Sequence, residues 1–260
     1  MEPSVTQDWL VQRLTDPVVR VVDCRYVLGR PGAGRERYRE GHIAGAAFMD
    51  LDDDLAGPVG DRRRGRHPLP APDAFSAAAR RAGIGADSVV VAYDEDRSGG
   101  AARLWWLLRH FGHDAVTVLA GGFDAWTGPV AGGEEHIAPG DFVAAQGGAD
   151  DVADARDVAA RLRRPGRILI DARAPERFRG DVEPVDPVPG RIPGAVNVPF
   201  TSPVPDDLVT TDDEVVVYCG SGVTACVVVH ELAVRGRHDA RLYPGSYSEW
   251  STRGLPTERG

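Results

Sequence analysis

The chain has 260 residues and a formal net charge of −9, and it is 42% hydrophobic and 7% aromatic. That length holds one large domain or two of about 100–150 residues, and the acidic balance argues against nucleic-acid binding by charge alone. All 30 basic residues are arginine, which excludes a Schiff-base lysine and any phosphate loop ending in Gly-Lys-Ser/Thr. No run of about 18 apolar residues occurs, so no membrane span is expected. Residues 1–16 lack the basic and apolar regions of a secretory signal, so the expected location is cytoplasmic.

In chain order, the apolar run 18–22 predicts a buried strand ending at Asp23 and Cys24. Gly41-His42-Ile43 follows, and then a basic run, 61–67, that reads as a solvated loop. Residues 72–82 read as a helix, 89–93 as a strand, 100–111 as a helix and 116–119 as a strand. The stretch 128–148, rich in Gly, Ala and acidic residues, reads as a linker. The second half offers a helix over 153–163, strands at 168–170 and 214–218, a helix over 223–235 and a strand at 240–243. Strands alternating with helices imply parallel sheets covered by helices on both faces, an α/β fold.

The halves repeat one another. Val21-Val22-Asp23-Cys24-Arg25 is echoed by Leu169-Ile170-Asp171-Ala172-Arg173, and Gly41-His42-Ile43 by Gly190-Arg191-Ile192. Val89 to Tyr93 is echoed by Glu214 to Tyr218, His113-Asp114-Ala115 by His238-Asp239-Ala240, and Gly121 to Trp126 by Gly245 to Trp250. Echoes in the same order mark a tandem duplication. The expected division is a non-catalytic domain at 1–128, a linker at 129–148 and a catalytic domain at 149–260. Features present in both copies (Asp23 and Asp171, His113 and His238, Trp126 and Trp250) read as requirements of the fold.

One loop differs between the copies. After the central strand the first copy reads Tyr93-Asp94-Glu95, and the second reads Tyr218-Cys219-Gly220-Ser221-Gly222-Val223-Thr224. Cys219 stands just past the carboxyl end of a strand and just before a helix, the edge at which open α/β sheets bind ligands. A loop bearing Gly220 and Gly222 can curl so that successive N–H groups converge, and with the helix N-terminus they stabilise an anion there. A thiolate or a persulfide anion is served by such a cradle. Cys226, seven residues on, reads as core with a lesser claim as a resolving thiol, and Cys24 reads as structural. Three sparse cysteines fit reduced thiols. No Cys-x-x-Cys or His-Glu-x-x-His motif occurs, so neither metal nor cofactor is expected.

At these residues the sequence resembles the two-domain rhodanese family, and the loop Cys219 to Thr224 looks like the form found in its 3-mercaptopyruvate sulfurtransferases. Tyr93-Asp94, Ala102 to Trp106, Phe111-Gly112-His113 and Gly121-Gly122-Phe123 resemble the inactive domain. Arg177 to Gly180, Arg191 to Ala195 and Cys219 to Thr224 resemble the catalytic one. The resemblance implies two tandem rhodanese-like domains. It implies a Cys219 persulfide formed from a small-molecule donor and passed to cyanide or a thiol acceptor, such as a low-molecular-weight thiol or a reduced thioredoxin-like protein. It also implies an anion cradle from Gly220 to Thr224 that includes Gly222 and Val223. Ser221 would aid proton transfer, Arg179 would bind the donor carboxylate and His42 would partner Ser221.

Two positions depart from the pattern. Ala33 stands nine residues before His42, where an aspartate would complete the relay, and Asp186 stands where a second carboxylate-binding arginine is expected. Arg191 and Arg66 are the candidates for the missing charge. The alternatives are a thiosulfate sulfurtransferase on the same fold and a sulfur carrier without turnover. A Cys-x5-Arg phosphatase is opposed by Ala225.

Overall fold

The computed structural model describes every residue except Val59 and Asp96. The chain forms two compact units, one of residues 1–57 and 70–147, the other of 58–69 and 148–260. The division expected from sequence runs straight through residue 128. It contains no sign that 58–69 leaves the first copy to fold with the second.

The first unit runs β1 (Ser4–Val5), α1 (Gln7–Val11), β2 (Val19–Asp23), α2 (Ala33–Glu40), β3 (His42–Ile43) and β4 (Ala47–Phe48). It continues with α3 (Pro72–Arg81), β5 (Val89–Tyr93), α4 (Gly100–His110), β6 (Val116–Leu119) and β7 (Val130–Ala131). Its main sheet is parallel throughout, in the order β1-β6-β5-β2-β4, and β3 pairs antiparallel with β7. The Val-rich strands β2 and β5 are buried along most of their length, as strands covered on both faces must be.

The second unit adds a 3₁₀ turn at Arg62–Arg64, then α5 (Ala155–Ala160), β8 (Arg167–Asp171), α6 (Pro175–Arg179), β9 (Val196–Asn197) and α7 (Asp206–Thr210). β10 (Glu214–Tyr218), α8 (Ala225–Val234), β11 (Arg241–Leu242) and α9 (Ser246–Thr252) complete it. Its parallel sheet has the order β11-β10-β8-β9. A core of Leu169, Ile192, Val216, Tyr218, Tyr243, Tyr247 and Trp250 packs on one face. No helix among the described residues is long and apolar enough to cross a membrane.

The duplicated aspartates are latches. In the first unit Arg25 binds Asp23 at 2.6 Å and donates to the Gly41 carbonyl, while Tyr93 Oη donates to Asp23 and accepts from Ile43 N–H. In the second, Arg173 binds Asp171 at 2.7 Å and donates to the Gly190 carbonyl, while Tyr218 Oη accepts from Ile192 N–H. A buried charge this close to its partner costs several kcal/mol if the partner is removed. That explains why both copies keep the pair although only one carries the cysteine. Burial pushes the Tyr93 and Tyr218 phenols well up, so both stay protonated donors.

Candidate active site

The cysteine loop joins β10 to α8 at the carboxyl end of the sheet. Cys219 is 1% exposed. Its Sγ accepts a hydrogen bond from Gly222 N–H at 3.1 Å, so at least one backbone donor of the loop already faces the sulfur. Gly222 has φ of 81°, and a β-carbon there would lie 2.3 Å from the Pro244 carbonyl oxygen. Only glycine closes this turn. The first copy holds an anion in the corresponding place. Asp94 accepts from Gly99 N–H at 2.8 Å and Ala101 N–H at 3.0 Å. Both loops aim backbone N–H groups at the side chain in this place, a carboxylate in one and a sulfur in the other.

The far side of the loop is tied to the start of α9. Cys219 N–H donates to Ser246 Oγ at 3.1 Å, Tyr247 N–H donates to the Cys219 carbonyl and Ser248 N–H to that of Gly220. Sequence reading does not find Ser246, although a signal exists. It aligns with Gly122, whose φ is 56°, and Ser246 keeps nearly the same backbone with φ of 52°.

Ser221 is the second chemical group of the loop, and its Oγ lies 2.8 Å from Nδ1 of His67. Both residues are 7% exposed. The expected partner, His42, belongs to the first unit. Its Nδ1 bonds the Tyr38 carbonyl at 2.7 Å, its ring stacks on Tyr38, and its Nε2 faces Glu135 within the first unit. His67 is the histidine in contact with Ser221. It reaches Ser221 because 58–69 belongs to the second unit. Gly65, with φ of 87°, backs onto Gly245, and Arg66 N–H donates to Ser248 Oγ. The basic run is thus solvated only at its start. Arg62, Arg63 and Arg64 are exposed, whereas Gly65 and His67 are buried.

Arg179 lies at the surface. Its side chain is 48% exposed and pairs with Asp181 at 2.7 Å. Arg177, two residues earlier, turns inward instead. A β-carbon built on Gly220 would lie 3.4 Å from Arg177 Nη1 and 2.9 Å from Arg66 Nη2, so both guanidiniums reach the loop. Arg177 also binds Glu183 at 2.7 Å and Asp186 at 3.1 Å, and Arg66 binds Asp186 on its other side. Burial pushes the Asp186 carboxyl up against the pull of Arg66 and Arg177. Glu183, although burial also raises it, is held below the usual range by hydrogen bonds from Arg177 and backbone N–H groups. Arg191 is turned away and binds Glu258 and the Gly260 carbonyl.

Val223 is buried, and Thr224 opens α8 as its cap residue. Cys226 is fully buried and donates its thiol to the Gly222 carbonyl at 3.3 Å, bracing the turn from below. Cys24 is fully buried in the first unit, and burial, with Asp23 and Asp94 nearby, pushes its thiol well above the ordinary range. Such a shift disfavours the reactive thiolate.

The rhodanese-like domain family matches residues 6–129 and again 154–253. The chain belongs to the rhodanese family. A Pseudomonas aeruginosa relative, provisionally named 3-mercaptopyruvate sulfurtransferase, is 43% identical over 95% of this chain and 94% of its own. A Mycobacterium tuberculosis relative, provisionally named thiosulfate sulfurtransferase, is 42% identical over 91% of this chain and 89% of its own. The crystal structure of SseA from Escherichia coli, described with the 3-mercaptopyruvate sulfotransferases, superposes with a TM-score of 0.81 at 32% identity. It covers 95% of this chain and 99% of its own. The protein is thus a sulfurtransferase of two rhodanese-like domains, each built on a parallel sheet flanked by helices.

Proposed function

We propose that the enzyme takes sulfur from 3-mercaptopyruvate onto Cys219 and passes it to a thiol or cyanide. The Cys219 thiolate attacks the donor sulfur, a sulfur–sulfur bond forms, and the donor's carbon–sulfur bond breaks. The electron pair of that bond leaves on the carbon fragment as the pyruvate enolate. The enolate takes up a proton and departs as pyruvate. The persulfide then gives its outer sulfur to an acceptor thiolate or cyanide, which restores the Cys219 thiolate. No external oxidant or reductant enters the half-reactions.

The contact between Ser221 Oγ and His67 Nδ1, at 2.8 Å, carries the choice of donor. An enolate is a poor leaving group and needs a proton as it departs, whereas sulfite leaves thiosulfate as a stable anion without one. A hydroxyl and imidazole in contact beside the nucleophile are of use for the first donor and of little use for the second. Gly222 N–H, with the other N–H groups from Gly220 to Thr224, would steady the persulfide anion, and Arg66 and Arg177 would meet the donor's carboxylate. A thiosulfate reading on the same nucleophile has one support, the two guanidiniums at Gly220, which would also suit a dianion. The acceptor we favour is a low-molecular-weight thiol or a thioredoxin-like protein in the cytoplasm, a setting that suits three free cysteines.

The test is kcat/KM for both donors in the wild type and in Cys219→Ser. A preference of about tenfold or more for 3-mercaptopyruvate, lost in the variant, is expected; that ratio corresponds to about 1.4 kcal/mol in the barrier. A preference for thiosulfate would overturn the donor assignment and keep the nucleophile.

A further inference from the structure

Asp186 is placed where an anionic ligand of the cysteine loop would be held. Its side chain is 2% exposed, and its carboxylate spans the guanidiniums of Arg66 and Arg177. Those two groups come within 2.9 and 3.4 Å of a β-carbon built on Gly220, the residue after the nucleophile. The surrounding charges are already matched. Arg173 binds Asp171 and Glu183, Arg177 binds Glu183 and Asp186, and Arg66 binds Asp186, so three guanidiniums face three carboxylates. Among the described residues, Arg66 Nε is buried without a hydrogen-bond partner, a donor left over after Asp186 has been satisfied.

We infer that Asp186 is a specificity-determining residue, an internal anion that occupies the two-arginine clamp beside Cys219 and weakens the binding of carboxylate-bearing donors. The inference rests on the donor assignment proposed above. An incoming carboxylate must share Arg66 and Arg177 with Asp186, and it brings a fourth negative charge to a cluster balanced at three. In a buried setting, like charges this close repel by an amount that changes affinity tenfold or more. A residue that merely braced the arginines would act in the opposite sense, since removing it would loosen the clamp.

The sign of the effect decides between these roles. Pyruvate is the probe, measured by calorimetry on full-length Cys219→Ser protein so that no sulfur moves. Adding Asp186→Asn is expected to tighten pyruvate binding by about tenfold. Asp186→Ser, which also removes the charge, should act in the same direction, and it gives a second reading if the amide packs badly. On the Cys219 background, Asp186→Asn should lower KM for 3-mercaptopyruvate by a similar factor and leave kcat within about twofold. Pyruvate binding that is equal or weaker in both variants, each melting with wild-type cooperativity, would overturn the inference. The donor assignment fails separately, if wild-type Cys219 gains no sulfur by mass from 3-mercaptopyruvate.

Discussion

Ser246 accepts the backbone N–H of Cys219 at 3.1 Å while its own backbone sits at φ of 52°, a conformation its counterpart Gly122 adopts without strain. A side chain at such an angle costs of order 1 kcal/mol. The second copy tolerates that cost, and the hydrogen bond holds the backbone of Cys219 in place. Ser246 Oγ also donates to the Tyr243 carbonyl at 2.8 Å, so the hydroxyl links the end of β11 to the start of the cysteine loop.

Ser246→Gly should therefore separate stability from turnover. Relief of strain and loss of the hydrogen bond oppose one another, so unfolding free energy should stay within about 1 kcal/mol of wild type. The freed loop should lower kcat by about tenfold. Ser246→Ala keeps the strain and orphans the buried Cys219 N–H, so it should be less stable than the glycine variant by about 1–3 kcal/mol. Equal melting temperatures for the two variants, with unchanged kcat, would remove Ser246 from any positioning role.

His67→Ala tests the proton path. With 3-mercaptopyruvate, kcat should fall by about a hundredfold, within the range for losing a positioned acid–base group. With thiosulfate the change should be no more than about threefold, because the leaving group needs no proton. Ser221→Ala should follow the same pattern, and the double variant should be little worse than either single one if the two act as a unit. His42→Ala should leave the donor ratio unchanged. Equal losses on both donors would show that His67 only holds the loop.

The neighbouring arginines provide a paired comparison. Arg177→Ala removes a charge that reaches Gly220, and KM for 3-mercaptopyruvate should rise by about tenfold or more. Arg179→Ala removes an exposed partner of Asp181 and should change KM by less than about twofold, as is usual for surface pairs. The reverse ranking, measured by initial rates, would restore Arg179 as the carboxylate ligand.

The two domains, the central strands and the place of Cys219 between a strand and a helix are legible because their signals are local: apolar runs, a strand followed at once by glycines, and a second half for comparison. The short strands β1, β4 and β9 have two residues each, too few for any periodicity to register. Arg177 and Arg179 are separable only once α6 is known to be helical. Two residues on a helix then turn about 200°, so the side chains point to opposite sides while Phe178 packs against the core. His67 is the hardest case. It lies 154 residues from Ser221 in sequence, at the end of an arginine-rich run whose composition suggests water. Nothing local marks 58–69 as a segment that folds with the other copy.

The amino end of the same sheet carries a partly buried ion-pair cluster. Glu214, at the start of β10, pairs in register with Arg167 of β8 and binds it at 2.7 Å, with Arg161 and Arg241 at 2.8 and 2.5 Å. Hydrogen bonding from Arg167, assisted by Arg241 against a burial penalty, holds the Glu214 carboxyl at about 2. A carboxyl with a lowered folded-state pKa contributes stability that is fully present above its unfolded value near 4.5. That contribution is lost as pH falls towards about 2. Glu214→Gln should therefore melt lower than wild type at neutral pH, and the gap should close on acidification across that window. Because Glu214 and Cys219 mark opposite ends of one strand and its exit, kcat at neutral pH should be unchanged. A melting difference that stays constant from pH 7 to 2 would show that Glu214 acts through packing and not through its charge.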